Sequence, residues 1–543
     1  MKKIICGLAI AASALTFTSC LGDLDTLPLN ETDKTASTSY NTFEGLEMGL
    51  AYIYGSYSLV SQNDASSSDI SVSDAGQSEL VRQYVNLNEM SADALKCTWG
   101  DSYITETQNA SWTSASNAAT VAVYTRCMVT ITRANEYLAQ TAGSSISGVE
   151  QLRAEARFLR AYAYWMLMDL YGNPPFATEE NISGDYPVQI GRDGLFDWLE
   201  KELNDLLTGT EQLASTADYP RVSKGAAQAL LARLFLNAEV YTGKSRWEDA
   251  KSAAAAVIGM NYSLCPVYEQ LFMQDNSENA DARNEMIFVV AYDREKTQSW
   301  GGTTHLVSGA LDDANSQAVA AALGYPEGSM ISRERWNGYH VPDEYVAFFE
   351  LQGVEWGGQG IGYDRAASDK RAFFSNVGCE REFDKSKAET GWRCWKYSSR
   401  DSQGKLYSTE EYTKFSSIDF PMIRLAEMYL IYAEAQARID GGTTTDATAL
   451  GYINALRTRA GVDARSYVDT DFILAERARE LMWEGHRRTD LIRYGYFTSM
   501  QFPWPYKGGI PNGKVALPSY RTVFPLLLSD ITSNPNLKQN AGY

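Results

Sequence analysis

Histidine is almost absent from this chain of 543 residues. There are three, His305, His340 and His486, far apart in sequence, and a histidine-based metal centre has too few ligands to draw on. Cysteine is also scarce. Beyond Cys6 and Cys20 there are five, Cys97, Cys127, Cys265, Cys379 and Cys394. An odd number without a C-x-x-C spacing argues against a structural zinc site or a full disulfide framework, and leaves room for a bridge whose partners the spacing does not identify. Basic residues are outnumbered, 48 against 68 acidic, for a formal charge of −20. That balance disfavours nucleic acid and anionic headgroups as partners and leaves a neutral ligand untroubled. No apolar run beyond the first twenty residues approaches the roughly 20 residues a spanning helix requires. G-x-S-x-G, H-E-x-x-H and G-x-x-x-x-G-K-[ST] do not occur.

The apolar run that does occur lies at the start. Met1-Lys2-Lys3 precedes an apolar and small-residue stretch from Ile4 to Thr18, the pattern of a secretory signal peptide over residues 1–19. Its end, Phe17-Thr18-Ser19-Cys20, resembles the bacterial lipobox, and implies cleavage before Cys20 and lipidation of that cysteine. Several acyl chains make such anchoring stable, at about 0.8 kcal/mol per buried methylene. Leu21 follows the cysteine, where an aspartate would resemble an inner-membrane retention signal. Asp23 and Asp25 instead resemble surface-export signals, which points to the outer face of the outer membrane. Residues 20–40 are polar and turn-rich and read as a tether spanning at most about 70 Å.

From residue 41 to 543 the pattern predicts a mostly α-helical scaffold with long irregular loops and a few short strands. Phe43, Leu46, Leu50, Ile53, Tyr54 and Tyr57 recur at helical spacing. A second stripe runs from Leu152 to Leu170 and ends at Gly172 before Pro174-Pro175. An alanine-rich helix is expected over 224–240, followed by one with Trp247, Ala250, Ala254, Val257 and Ile258 on one face. Another starts at Met422 and pairs with a helix near 446–459, and a last long one runs from Phe472 to Arg488. Helix–turn–helix pairs with small residues at their contacts, over about 150–260 and 420–495, resemble degenerate tetratricopeptide (TPR) repeats. The stretches from about 61 to 120 and 262 to 420 are rich in Gly, Asp, Asn, Ser and Trp, with short apolar runs such as Met286–Val290 that suit strands. Long loops in a compact domain are usually functional.

Aromatic residues are plentiful: 33 Tyr, 19 Phe and 12 Trp. Trp99 (in Lys96–Asp101), Trp300 (in Gln298–Gly302) and Trp336 (in Arg335–Tyr339) adjoin glycine and polar residues and lie off any apolar stripe. A loop position with one exposed ring face follows. Such rings are either loop anchors or platforms for the flat C–H face of a sugar or another ligand. Asp275–Asn279 is oxygen-rich enough to raise calcium as a bound ion, though it does not match an EF-hand loop, and a solvated turn explains it equally. Gly357–Gly362 lacks the strand–helix context of a phosphate loop. The basic residues around His486 read as a helix C-terminus that the dipole favours.

Several segments together resemble the SusD/RagB family of Bacteroidetes outer-membrane lipoproteins: Arg157–Tyr164, Arg424–Ala435, Tyr452–Gly461, Glu480–Leu491 and Asn534–Tyr543. With the lipobox they span nearly the whole chain. The resemblance implies a glycan-binding lid on a TonB-dependent outer-membrane transporter (SusC-like), which captures oligosaccharide and performs no chemistry. Leu271–Asn279, Gly301–Gly309 and Asn237–Gly243 look like counterparts in the family's starch-binding member. By that likeness Trp99, Trp300 and Trp336 form an aromatic arc curved to an α-glucan, Arg82 is a polar contact, and Lys296 is a further one. Ser102 stands where an asparagine is expected, and Trp300 replaces a tyrosine. The alternatives are a binder of a different glycan, a glycoside hydrolase on a helical frame, and a TPR-type protein scaffold.

Overall fold

The computed structural model describes residues 39–543 except 115–116, 182–183, 185, 333 and 407–413. The signal peptide, Cys20 and the tether up to residue 38 lie outside the described residues. The frame is helical, and its few strands are short. It begins with α1 (Phe43–Gly55), where Thr42 Oγ1 accepts the Gly45 N–H at 3.1 Å and so caps the first turn. Leu46, Leu50 and Ile53, at the predicted spacing, are buried. Then come α2 (Leu80–Val85), which runs directly into a π-turn over Asn86–Met90, and α3 (Ser102–Gln108). Two 23-residue helices follow, α4 (Ala118–Gln140) and α5 (Val149–Tyr171), packed on each other and on α1.

The next pieces are α6 (Arg192–Thr208), α7 (Lys224–Leu236) and α8 (Trp247–Ile258). Across a long, mostly irregular region containing α9 (Gly302–Gly309), the chain returns to helix as α10 (Leu425–Ile439), α11 (Ala447–Ala460), α12 (Thr470–Glu480) and α13 (Arg487–Arg493). Helix α8 lies against both α7 and α10. Ala226, Ala229, Ala250, Ala254, Ala426 and Ala433 are fully buried there, so small side chains let the backbones approach closely. Strand β1 (Lys96–Cys97) pairs antiparallel with β3 (Tyr339–His340), and β2 (Met286–Val290) with β4 (Phe420–Arg424).

The interior is unusually rich in charge. Arg233 on α7 makes a bidentate pair with Glu427 on α10 at 2.6 and 2.8 Å. Arg424, at the end of β4, bonds Glu285, Glu480 and Glu484 at 2.7–2.9 Å, with all four side chains buried. Arg233, Arg424, Glu427, Glu480 and Glu484 fall in stretches that read as helices and Glu285 in one that read as loop, and the ion pairs tie the β2–β4 ladder to α12.

Several sequence expectations are corrected. The helix expected over 224–240 stops at Leu236. Asn237 Nδ2 bonds back to the Arg233 carbonyl at 2.9 Å, and a short helix resumes over Ala238–Thr242. Met422 lies in β4, and its helix starts only at Leu425. The expected helix from Phe472 to Arg488 is two helices. Trp483 and Gly485 take left-handed backbone angles between α12 and α13, and the Glu89 carboxylate accepts the N–H groups of Gly485 and His486 at 2.8 and 2.9 Å. Arg487 and Arg488 therefore open a helix, and the dipole does not favour them. Buried partners hold them instead: Asp93 pairs with Arg487 at 2.7 Å, and the Phe524 ring lies 4.5 Å from the Arg488 guanidinium. Helix α4 begins in the stretch read as loop, because its Thr- and Ala-rich stripe carries little apolar contrast. The five cysteines after Cys20 are all buried and free.

Candidate functional site

The three tryptophans reach the site from different elements. Trp99 follows β1. Its loop is held to the Trp336 loop by Thr98 N–H donating to the Gly338 carbonyl at 3.1 Å, and Trp99 Nε1 donates to the Trp336 carbonyl at 3.3 Å. Helix α9 is the strut between the other two. Trp300 immediately precedes it, and Trp336 N–H donates to the Ser308 carbonyl near its end at 2.7 Å. The start of α9 is pinned by Glu79, a fully buried carboxylate. Its Oε2 accepts the N–H groups of Arg82 (2.7 Å) and Gly302 (2.8 Å), while Oε1 accepts the Tyr292 hydroxyl. Burial raises the Glu79 pKa against the pull of these donors. One side chain thus couples the helix that carries Arg82 to the loop that carries Trp300.

The result is one cleft of about 500 Å³, lined by Ser66, Asp74, Ala75, Gly76, Arg82, Trp99, Trp300, His305 and Trp336. Trp336 is the middle ring, 6.4 Å from Trp99 and 6.2 Å from Trp300 between centroids, with planes inclined by 54° and 41°. Each ring is half-buried. Tyr339 supports Trp99 from 5.4 Å and Phe415 supports Trp300 from 4.8 Å. Arg82 is buried, and its Nη2 donates to the Tyr103 hydroxyl at 3.2 Å. Asp74, largely exposed, stands 4.0 Å from its Nη1.

The structure brings Trp99, Trp300, Trp336 and Arg82 together. Ser102 and Lys296 do not line the cleft. Ser102 is exposed at the first position of α3, beside Asp101, and Lys296 is exposed on the turn after Asp293. Sequence reasoning missed Asp74, His305, Tyr339 and Phe415 as parts of the site. His305 lies one turn into α9 after Trp300, a signal too weak to separate it from a core histidine.

Backbone proximity also shapes the cleft. A Cβ at Gly338 would lie about 2.0 Å from Trp99 Cε2, and one at Gly301 would lie 2.3 Å from Glu79 Cβ. Gly338→Ala is expected to displace the Trp99 indole, shift tryptophan fluorescence and cost roughly 1–3 kcal/mol of stability. Unchanged emission and thermal midpoint would contradict this packing.

Asp275–Asn279 has structural duties. Asp275 accepts from the Ser402 backbone N–H and hydroxyl, Asn276 Nδ2 donates to the Leu271 and Asp419 carbonyls, and Asn279 caps a short helix. Among the described residues no group of three or more His, Cys, Asp or Glu is placed to hold a metal ion, and no helix is long and apolar enough to cross a membrane. A second cavity, of about 350 Å³ between α1 and β2, is lined by Leu50, Tyr54, Tyr57 and Phe288 among others.

A helical frame that holds an arc of half-exposed tryptophans on long loops defines a ligand-binding protein of the surface-cleft type. The chain belongs to the SusD family. The model described as the SusD family matches residues 284–543, and one described as "Starch-binding associating with outer membrane" matches residues 64–236. The chain is 33% identical to the starch-binding protein SusD of Bacteroides thetaiotaomicron, over 100% of this chain and 99% of that one. It is 24% identical to SusD-like protein P25 of Formosa agariphila, over 72% and 73% of the two chains. Among solved structures, surface glycan-binding protein A from Bacteroides thetaiotaomicron matches with a TM-score of 0.68 at 18% identity, covering 93% of this chain and 100% of that one. A laminarin-binding SusD-like protein matches with a TM-score of 0.66 at 20% identity, again over 93% and 100%. At such identities the structural likeness speaks for the fold.

Proposed function

We propose that this protein is a non-catalytic, cell-surface binder of starch-type α-glucan oligosaccharides. It is anchored in the outer membrane through lipid on Cys20 and delivers its ligand to a TonB-dependent transporter. The observation that carries this reading is the continuous arc Trp99–Trp336–Trp300, whose successive planes turn by about half a right angle. A flat glycan would be served by coplanar rings, whereas a helically turning chain presents successive sugar faces at changing angles. Full-length similarity to a starch-binding protein supports the choice of α-glucan.

Binding without hydrolysis is supported by the cleft's composition. Glycoside hydrolysis typically uses two carboxyl groups about 5–10 Å apart, and among the described lining residues there is one carboxylate, Asp74. In a native gel containing amylopectin, the protein without its first 20 residues is expected to be retarded, and the Trp99→Ala, Trp300→Ala variant is expected to run freely. Retardation that survives the double substitution would overturn the site. Retardation by laminarin alone would move the ligand to a β-glucan, and release of reducing ends from starch would replace binding with hydrolysis.

A further inference from the structure

Glu79 caps α2 with a residue that helices seldom use for this purpose. Seven other helices carry a side-chain cap among the described residues, and in each the capping residue is Thr, Asn, Ser or Asp. Short side chains suit the position because their oxygen reaches an N–H of the first turn directly. Glu79 does the same for Arg82 N–H, yet it is one methylene longer than aspartate and completely buried. None of its hydrogen-bond partners is a cation. Burying a carboxylate without one costs more than a single cap returns. Capping α2 therefore does not account for it.

The extra length lets one carboxylate serve three segments. Oε2 accepts Gly302 N–H as well as Arg82 N–H, and Oε1 accepts the Tyr292 hydroxyl. Tyr292 ties the group to the frame, since its own N–H donates to Asp419 Oδ1 at 2.8 Å, just before β4. Glycines clear the approach. A Cβ at Gly302, where φ is +51°, would lie 2.4 Å from the Tyr292 ring. One at Gly76 would lie 2.9 Å from Arg82 Nη1 and 3.0 Å from Trp300 Cβ. The Arg82 guanidinium and the root of the Trp300 side chain thus flank one point. Glu79 holds the backbone that carries each of them: the N–H of Arg82 itself, and that of Gly302 two residues after Trp300.

We propose that Glu79 is a positioning residue for the cleft: it fixes where the Trp300 end of the arc stands relative to Arg82, with the β2–β4 ladder as reference. It does not line the cleft and acts only through the two residues that do. Reach is what the role requires, because all three contacts ask for acceptor lone pairs and none asks for a charge. The consequence for affinity rests on the glycan-binding reading above.

The test is calorimetric titration of maltoheptaose into the wild-type protein and its Glu79→Gln, Glu79→Asp and Glu79→Leu variants, with thermal melts of each. Fluorine spectra of the unliganded, fluorotryptophan-labelled proteins follow the arc without ligand, the Trp300 resonance being assigned by Trp300→Phe. Glu79→Leu removes every acceptor. It should lower affinity about fivefold or more, as losing the Trp300 ring would, and move the Trp300 resonance. Glu79→Gln keeps the reach: its oxygen can accept both N–H groups while its amide donates to the Tyr292 oxygen. It should regain most of the affinity and the wild-type resonance. Glu79→Asp keeps the charge but is too short for three segments, and should resemble Glu79→Leu.

In a double-mutant cycle, Glu79→Leu and Trp300→Ala should together cost less than the sum of their separate effects, since one acts largely through the other. A merely structural role predicts lower melting points with additive effects and an unmoved Trp300 resonance, and that result would overturn the proposal. Tighter binding by Glu79→Asp than by Glu79→Gln would overturn it too, by making charge the requirement. Should Glu79→Leu fail to fold, the comparison of Glu79→Asp with Glu79→Gln decides alone. Wild-type protein that does not bind maltoheptaose, while Glu79→Asp moves the Trp300 resonance and Glu79→Gln does not, would sink the glucan reading and uphold the positioning role.

Discussion

Trp336→Ala is expected to lower the affinity for maltoheptaose by about 30-fold or more, the largest loss of any single substitution in the cleft. Its ring is the only one in centroid contact with both of its fellow tryptophans, at 6.4 and 6.2 Å, so its removal divides one continuous platform into two isolated rings. A central, well-packed tryptophan in a binding surface typically contributes 2 kcal/mol or more, and each 1.4 kcal/mol is about a factor of ten. Trp300 is at the outer end and is supported by Phe415. Trp300→Ala should therefore cost less, about five- to tenfold on the same energy scale. Titration of both variants decides the order. An equal loss for the two would mean that the glycan does not bridge the arc.

The second large effect concerns stability. Arg424→Ala leaves Glu285, Glu480 and Glu484 short of a shared cation in the interior. Removing one partner of a buried ion pair typically costs about 3–5 kcal/mol, because the remaining charge is buried without compensation. Denaturant unfolding at neutral pH should show a loss of that order, with a further prediction attached to pH. Burial alone would raise the Glu480 pKa, but Arg459, Arg424 and Arg371 outweigh it and hold the carboxyl well below the usual range. The same balance holds Glu476 at about 2.

A depressed carboxylate stabilises the folded state above its unfolded pKa, near 4.3, and loses that contribution as pH falls through its folded value. In the Arg424 variant Glu480 keeps Arg459 and Arg371 but loses one of its three cations, so it protonates more readily. The difference in stability between wild type and variant should therefore be complete at about pH 7 and shrink below about pH 4. A difference that stays constant across this range would show that lost packing, not lost charge pairing, is what the arginine supplies.

The helical frame was legible because burial of one face leaves a periodic trace. Leu46, Leu50 and Ile53 on α1, and Leu152 to Leu170 on α5, are buried where the spacing predicts. Helix ends were less legible. Asn237 stops α7 through a bond to its own helix, and the break between α12 and α13 depends on Glu89, about 400 residues away in sequence, which receives the N–H groups of Gly485 and His486. No local pattern encodes a partner so distant.

In the site, the tryptophans were legible as rings in polar, glycine-bearing surroundings, since such neighbours cannot bury both faces. Family likeness added Arg82. His305 and Tyr339 were not legible, because a buried histidine beside a cleft and one deep in a core have the same sequence surroundings. By itself the sequence determined a mostly helical chain of the SusD family with three tryptophans on long loops, because helix periodicity, loop composition and family segments are local properties of the chain. Only the tertiary structure decided that Trp99, Trp336 and Trp300 share one arc in that order, that Ser102 and Lys296 stand outside the cleft lining, and that His305 packs beside Trp99 and Trp336. Those outcomes depend on ring angles and on the direction of hydrogen bonds between segments some 200 residues apart in sequence, which exist only once the loops have closed on α9.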